Sequence, residues 1–409
     1  MSVQTSAAAA APAVENRLTA KDVLAIAGMF LGVFSIGADS FIISPILRPI
    51  SEALDSSLAT AGLGVTAYAI CYAVGAPLLG PLADRISRKR MLLTGMALFV
   101  VATVLSAFVW DVLTFCITRG LAGIGAAMVT PNVMALIATT YRPPLLPKII
   151  GIVMSALSLA IVVGVPIGSY LAEAAGWRSS FYFIAGLGLL SGLVLSSVLA
   201  DNPPAAGGAK KSYLGAYAEV LRSRTAVFAL LTTLTWMTGF YGVYTYLGTY
   251  LGDSLAISTA TVGSLLLAYG AGNFAASFMA GWVVAKLGPR STVMVNGLVS
   301  SVVVIALASA DLDTWAVLLL LIGWAFTQGF AITAMTAVTA GSVPEARATV
   351  MSMNSSCIYL GLTLGSAIFG ALFTRTSFTW VGVAAAAATL LAIVANVVAT
   401  KPAKAAAGA

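Results

Sequence analysis

The chain has 409 residues, of which 60% are apolar and only 9% charged, against roughly 25% charged in soluble proteins. A soluble fold cannot hide that much apolar surface and a disordered chain needs the opposite composition, so a polytopic membrane protein is what remains. The net charge is +7 and histidine is absent, which removes imidazole as metal ligand, proton shuttle or catalytic base.

Residues 1–20 are expected to form a disordered cytoplasmic tail rather than a secretion signal, because no basic region precedes the alanine run and Glu15 closes it soon after. Apolar runs bounded by charge, Pro or Gly then predict twelve spanning helices, at 22–47, 59–80, 91–110, 112–138, 149–171, 179–200, 225–248, 260–284, 290–309, 315–340, 349–373 and 378–399. Each is long enough to cross ~30 Å of hydrocarbon at 1.5 Å per residue. The runs are continuous rather than alternating, which argues against membrane strands. The longest polar gap, 201–224, divides the spans six and six. It reads as a cytoplasmic linker, flexible at first, with a short surface helix from Gly215 to Arg224. This gives an N-terminal six-helix unit at 21–200, a C-terminal one at 225–400 and a tail at 401–409. Cys71, Cys116 and Cys357 are far apart within apolar runs and show neither zinc nor disulfide spacing.

Basic residues set the expected orientation. With the N-terminus in the cytoplasm, 17 of the 21 Lys and Arg fall on inside segments and only Arg48, Arg178 and Arg375 outside, with Arg119 left within a span. That bias places both ends inside. Anionic lipid headgroups are sufficient partners for the net charge, and no nucleic acid is implied.

The halves repeat a motif. Gly80-Pro-Leu-Ala-Asp-Arg-Ile-Ser-Arg-Lys-Arg90 comes after span 2, and Gly281-Trp-Val-Val-Ala-Lys-Leu-Gly-Pro-Arg290 after span 8. Gly80 matches Gly281, Arg85 matches Lys286 and Ile86 matches Leu287, all at an offset of 201, while Ala285 stands where Asp84 would recur. A shared offset at the same topological point implies a duplicated six-helix unit, with a pathway between the copies.

The first of these segments resembles the signature between helices 2 and 3 of the major facilitator superfamily. Two further segments support the resemblance. Arg119-Gly-Leu-Ala-Gly-Ile-Gly-Ala-Ala127 is similar to that family's fourth-helix motif, with Ala122 where Gln is usual. Gly164-Val-Pro166-Ile-Gly168, with Gly176-Trp177-Arg178 shortly after it, resembles the antiporter motif of its drug:proton branch, in the variant of arabinose-efflux and chloramphenicol-resistance relatives, although Ser169 replaces the last glycine. The resemblance spans essentially the whole chain. It implies an all-α membrane fold of twelve helices in two pseudo-symmetric bundles, alternating access by rocking of those bundles, proton coupling and export. It also implies a latch on the cytoplasmic face made by Gly80, Asp84, Arg85, Arg88 and Arg90 against the start of span 11, near Ser342-Val-Pro-Glu-Ala-Arg347.

Asp39 is the only acid well inside a span and Arg119 the only base. Charges are costly in hydrocarbon, so by default they face a cavity or each other and serve function. Asp39 lies about nine residues and Arg119 about eight from the outer ends of their spans, or ~14 and ~12 Å of helix. Two readings stay open: a proton-exchanging site, in which burial raises the carboxyl pKa and the guanidinium lowers it, or a static tie between helices 1 and 4. The first requires that water reach the carboxyl from one face or the other. Arg119 binding an anionic substrate is a third possibility. For the cavity, span 7 carries Trp236, Phe240 and Tyr244 in one helical stripe with Tyr241 beside it. Tyr68, Tyr72, Asn132, Asn273, Gln328 and Asn354 are further candidates, against the alternative that such groups only bond neighbouring helices.

No nucleotide-binding loop, catalytic constellation or metal cluster is apparent, so neither an enzyme nor a cofactor is expected. The expectation is a monomeric, proton-coupled exporter of drug-like, lipophilic or cationic compounds or of sugars in the cytoplasmic membrane. Import of a sugar or organic acid is the alternative, and a non-transporting receptor a more distant one.

Overall fold

The computed structural model describes residues 18–83, 86–141, 145–200, 213–309, 312–343 and 346–399. These form α1 (Ala20–Ala53), α2 (Leu58–Ala83), α3 (Arg88–Ser106), α4 (Val112–Thr140), α5 (Leu146–Leu159), α6 (Val165–Ala175), α7 (Arg178–Val198), α8 (Tyr213–Arg222), α9 (Arg224–Ser254), α10 (Thr259–Leu287), α11 (Pro289–Ser309), α12 (Thr314–Ser342), α13 (Arg347–Arg375) and α14 (Phe378–Ala399). Twelve helical spans are long and apolar enough to cross a membrane, with α5 and α6 joined into one. An even number of crossings puts both termini on one face, here the near face; the opposite one is the far face.

The expected spans all recur, and the differences have local causes. The start of α1 is fixed by a capping box in which Thr19 and Asp22 satisfy each other's backbone amides. Its far end runs on through Pro45 and Pro49. The third span stops at Ser106 because Arg178 takes over the next carbonyls, donating to Ala107 O at 2.9 Å and Val109 O at 3.4 Å. The fifth span contains a π turn, Ala160–Gly164. Pro166 has no amide for the Val162 carbonyl, and the widened turn absorbs the defect. The linker helix α8 begins at Tyr213 and is docked by buried Val220 among Ala226, Leu230, Val343 and Val350 at the starts of α9 and α13. Of the expected disordered tail at 1–20, residues 18–20 cap and begin α1, while 1–17 and the tail at 401–409 lie outside the described residues.

The fold is the all-α, twelve-helix, two-bundle architecture expected from the sequence. Each neighbour pair in one half has its counterpart in the other: α2 with α4 and α10 with α12, α3 with α4 and α11 with α12, α1 with α7 and α9 with α14. Small residues allow these approaches. A Cβ on Gly123 of α4 would lie 2.2 Å from the Tyr68 carbonyl oxygen of α2, and one on Gly125 would lie 2.6 Å from the Phe99 amide of α3. In the second half, Gly365 of α13 meets the Gly242 backbone of α9 in the same way. Without a hydrophobic drive between helices in lipid, such close backbone contact supplies the packing energy.

The bundles meet through α1 against α9, α2 against α13 and α6 against α10, whereas α4 and α12 share no comparable contact among the described residues. Among those residues, side-chain hydrogen bonds that cross between bundles cluster in the far half. Thr66 pairs with Ser366 at 2.8 Å, Tyr170 with Ser264 at 2.7 Å, and the Ala260 amide donates to Glu173 at 2.7 Å, while Arg48 pairs with Asp253. Toward the near face the helices loosen. Met351, Ser352, Met353, Ser355 and Ser356 are part-exposed over about 200° of α13, with Val350 and Asn354 buried on the remaining face, whereas Gly361, Leu362, Gly365, Ser366, Phe369 and Gly370 are buried. Among the described residues the bundles are tied together more closely in the far half than in the near half.

The glycine contacts give a direct check. Gly123→Val forces a side chain into a fixed carbonyl and is expected to destabilise the first bundle by about 1–3 kcal/mol, the usual cost of overpacking. Thermal unfolding in detergent should show a lower Tm for this variant. Gly323→Val, where a Cβ meets nothing within 4 Å, should melt like the parent.

Candidate functional site

Asp39 and Arg119 are brought together at the centre of the first bundle. On α1 the flanking Gly37 and Ala38 pack against Ala160 and Gly164 of the fifth span, which brings α1 in close. On α4, Gly120 lies against Cys71 and Gly123 against Tyr68, which sets Arg119 at the α2 side. The guanidinium then donates from both terminal nitrogens to both carboxylate oxygens, at 2.8 and 2.8 Å. It lies 4.8 Å from the Tyr68 ring centroid and 5.6 Å from that of Phe181, so two aromatic rings share the cation with the carboxylate. Asp39 is 0% and Arg119 1% exposed. In this conformation no solvent reaches the carboxylate, and both its oxygens are occupied by Arg119, so the water access that the proton-exchanging reading requires is not met here and this state by itself fits the static tie between helices 1 and 4. The Arg119 Nε has no hydrogen-bond partner.

Beside this pair, aromatic residues fill the middle of the molecule. Phe41 of α1 reaches α9, edge-on to Tyr244 at 5.3 Å and stacked on Tyr241 at 6.2 Å. Phe240, Tyr244, Tyr269 and Trp324 form a connected cluster, with neighbouring ring centroids 5.3 to 6.3 Å apart. Tyr72 of α2 stacks on Tyr359 of α13 at 3.5 Å, and Tyr68 lies 6.5 Å from the same ring. As packed here the rings contact one another, with Tyr244, Tyr269 and Trp324 only 1–2% exposed; chemically they are surfaces suited to flat or cationic groups.

The sequence candidates divide accordingly. Phe240, Tyr241 and Tyr244 stand in the cluster, and Tyr68 and Tyr72 face Tyr359. Trp236, on the same α9 stripe, instead donates to Gln328 at 2.7 Å, and Gln328 reaches Ser300 at 3.4 Å, which ties α9, α12 and α11 together. Asn354 accepts from Thr233 at 2.8 Å between α13 and α9. Asn132 donates to the Met128 carbonyl of its own helix at 2.7 Å, and half-buried Asn273 donates to the Ala325 carbonyl at 3.5 Å. Sequence reasoning missed Phe41, Tyr269, Trp324 and Tyr359. A usable signal existed for two of them: Tyr269 and Trp324 lie one turn before Asn273 and Gln328, on the same helical faces.

The segment of Gly164, Pro166 and Gly168 is wedged between α1 and α10. Gly164 meets Ala38, Gly168 meets Ile42, and Val162 and Ser169 fill the space left by Gly270 and Gly263 of the other bundle. Of the expected latch, Asp84 and Arg85 lie outside the described residues, as do Pro344 and Glu345 opposite them. Gly80 ends up near the close of α2, and Arg88 and Arg90 open α3, which is capped by Ser87. Between them, Lys89 donates to the carbonyls of Ser196 and Leu199 at the end of α7, where a cation offsets the helix dipole. Among the described residues no group of three His, Cys, Asp or Glu could hold a metal.

A sequence model described as Major Facilitator Superfamily matches residues 29–254 and 249–408. The chain therefore belongs to the Major Facilitator Superfamily, and it is a secondary transporter of small molecules. It is 29% identical to the uncharacterized MFS-type transporter YwfA of Bacillus subtilis over 91% of this chain and 90% of that one. It is 25% identical to a probable sugar efflux transporter of Helicobacter pylori over 89% and 92%. Among solved structures, a bacterial homolog of the human lysosomal transporter Spinster, in an inward-facing and unoccupied conformation, superposes with a TM-score of 0.75 over 94% of this chain and 97% of that one, at 16% identity.

Removing one member of the buried pair leaves the other charge without a partner, which typically costs about 3–5 kcal/mol, whereas replacing both by apolar groups is far milder. Asp39→Leu and Arg119→Leu should each lower Tm sharply, and the double variant should recover most of the loss. A double variant that melts no higher than either single one would show that the pair is not an energetic unit.

Proposed function

We propose that the protein exports small molecules across the cytoplasmic membrane in exchange for protons, by alternating access, with both termini in the cytoplasm. The observation that carries this reading is the Asp39–Arg119 pair: one carboxylate and one guanidinium, joined by two hydrogen bonds of 2.8 Å in the centre of a membrane bundle. A proton and the guanidinium compete for the same oxygens. While Arg119 holds them the site is ionised and shut, and a proton taken up in the other state of the cycle releases the guanidinium and loosens α1 from α4. The sealed carboxylate thus represents the state after its proton has left: uptake belongs to the far-open half of the cycle, and release toward the near face, as Arg119 re-forms its two bonds, belongs to the step that precedes the state seen here. The positive-inside bias supports the assignment of the far face to the outside, so that the near side is the loading side for export.

The rings around Phe41, Tyr244 and Tyr359 support lipophilic or cationic substrates, held by stacking and ring–cation contact. The relative named as a probable sugar efflux transporter supports the sugar alternative, since aromatic rings also stack on sugar faces. The likeness of Gly164-Val-Pro166-Ile-Gly168 to the antiporter motif, with its place between α1 and α10, supports exchange. Gly80, Asp84, Arg85, Arg88 and Arg90 are assigned to the near-face latch that closes in the opposite state. The working unit proposed is a monomer in lipid, without a cofactor.

The test uses proteoliposomes with an imposed pH gradient and two probes, ethidium as lipophilic cation and arabinose as sugar. The parent protein should concentrate one of them on the acidic side. Asp39→Asn should abolish uphill movement while leaving downhill counterflow. If Asp39→Asn still drives uphill transport on the gradient, Asp39 is not the proton carrier and the pair is a structural tie. Accumulation on the alkaline side would establish import instead.

A further inference from the structure

Ser44 lies on α1, five residues beyond Asp39, where α1 and α9 come into backbone contact. A Cβ on Gly248 would sit 2.4 Å from the Ser44 carbonyl oxygen and 2.7 Å from Pro45 Cα, so only glycine fits there. The Ser44 hydroxyl donates to the carbonyl of Tyr244 at 2.5 Å and accepts from the amide of Gly248 at 3.1 Å. That carbonyl and that amide are the acceptor and donor of one i→i+4 step of α9. A side chain of one bundle therefore bridges the backbone carbonyl and amide of one turn of a helix in the other, which remains helical from Arg224 to Ser254.

The turn it bridges belongs to a ring of the central cluster. Tyr244 is 2% exposed, contacts Phe41, Phe240 and Tyr269, and its hydroxyl is buried without a partner. On the α1 side, Pro45 has no amide to give the carbonyl of Phe41. The two rings that meet across the bundles, Phe41 and Tyr244, thus both hang from turns whose backbone groups are altered at the same junction, one by a missing amide and one by the Ser44 bridge. Arg48 and Asp253 clamp that junction one turn further out.

We propose that Ser44 is a positioning residue that couples closure of the far face to the placement of Tyr244 in the central cavity. With the far face shut, the hydroxyl ties the Tyr244 turn of α9 to α1 through its carbonyl and the Gly248 amide. When the bundles part there, the hydroxyl leaves both groups, that turn is freed from α1, and the ring moves with its backbone. The two access states then present different walls to the same substrate. This inference rests on the alternating-access reading and adds to it a defined coupling element outside the Asp39–Arg119 pair.

The test needs no knowledge of the substrate. The full chain, with its three cysteines replaced by serine, is placed in lipid nanodiscs and spin-labelled in pairs. Trp110→Cys with Trp315→Cys, 76% and 75% exposed, reports the far face, and Thr139→Cys with Gly341→Cys reports the near face. Separately, 3-fluorotyrosine at position 244 reports the ring by fluorine NMR. Ser44→Ala should shift the far-face population from the short to the long distance by roughly fivefold, the worth of about one net hydrogen bond, with the reciprocal change at the near face. The parent should show two fluorine signals whose ratio tracks the far-face ratio, and Ser44→Ala should collapse or displace the far-closed signal with little change in Tm. Distances and fluorine signals that are the same in Ser44→Ala as in an exchanging parent would overturn the role of Ser44 alone. A parent that holds one distance at both faces from pH 5 to pH 8 would overturn alternating access, and this proposal with it.

Discussion

A carboxylate and a guanidinium without water, in a molecule whose outer solvent is hydrocarbon, constrain everything near them. Neither charge is tolerable alone at that depth, so the helices carrying them must bring them into contact and keep them there. Arginine is suited to this in a way lysine is not: its planar fork meets both carboxylate oxygens at once and its faces still accept rings. Tyr68 and Phe181 occupy those faces, which recruits α2 and α7 to the same centre. Geometry then requires the glycines around the pair. Gly120 and Gly123 admit α2 to α4, and Gly164 admits α1 to the fifth span; with a larger residue at these positions the pair could not close to 2.8 Å.

The spans were legible because hydropathy decides them and little competes. The residues that misled were those whose local signals a neighbouring helix overrides. The expected first span ends at 47 and leaves Arg48 in an outer loop, yet α1 continues through Pro49 to Ala53. Its outer turns are held by α9, through Ser44 on Tyr244 and Gly248 and through Arg48 on Asp253. Tertiary contact supplies the stabilisation that proline removes.

The central pair was legible for a similar reason, since two opposite charges at one depth have few alternatives. The cavity was only partly so. Trp236 and Phe240 are one turn apart on one stripe, yet the first is turned to Gln328 inside the second bundle and the second to the ring cluster. Tyr359 carries no local mark of its contact with Tyr72, because that contact depends on how two bundles sit against each other. Composition shows that a polar or aromatic residue must find a partner; it does not show which helix supplies it.

The first helix joins these features. Phe41, Ser44 and Arg48 recur at i, i+3 and i+7, which is one helical stripe, and all three meet α9: a ring contact, a hydroxyl bridging two backbone groups and an ion pair at the outer rim. Asp39 lies two residues before Phe41, about 200° around the helix, and faces α4. A single helix thus presents a charge to its own bundle on one side and three kinds of contact to the opposing bundle on the other. Any movement that parts α1 from α9 must either carry Asp39 with it or strain the bond to Arg119. The ion pair at the centre and the contacts at the rim are therefore carried by one continuous helix, with only Pro45 between them to soften the link.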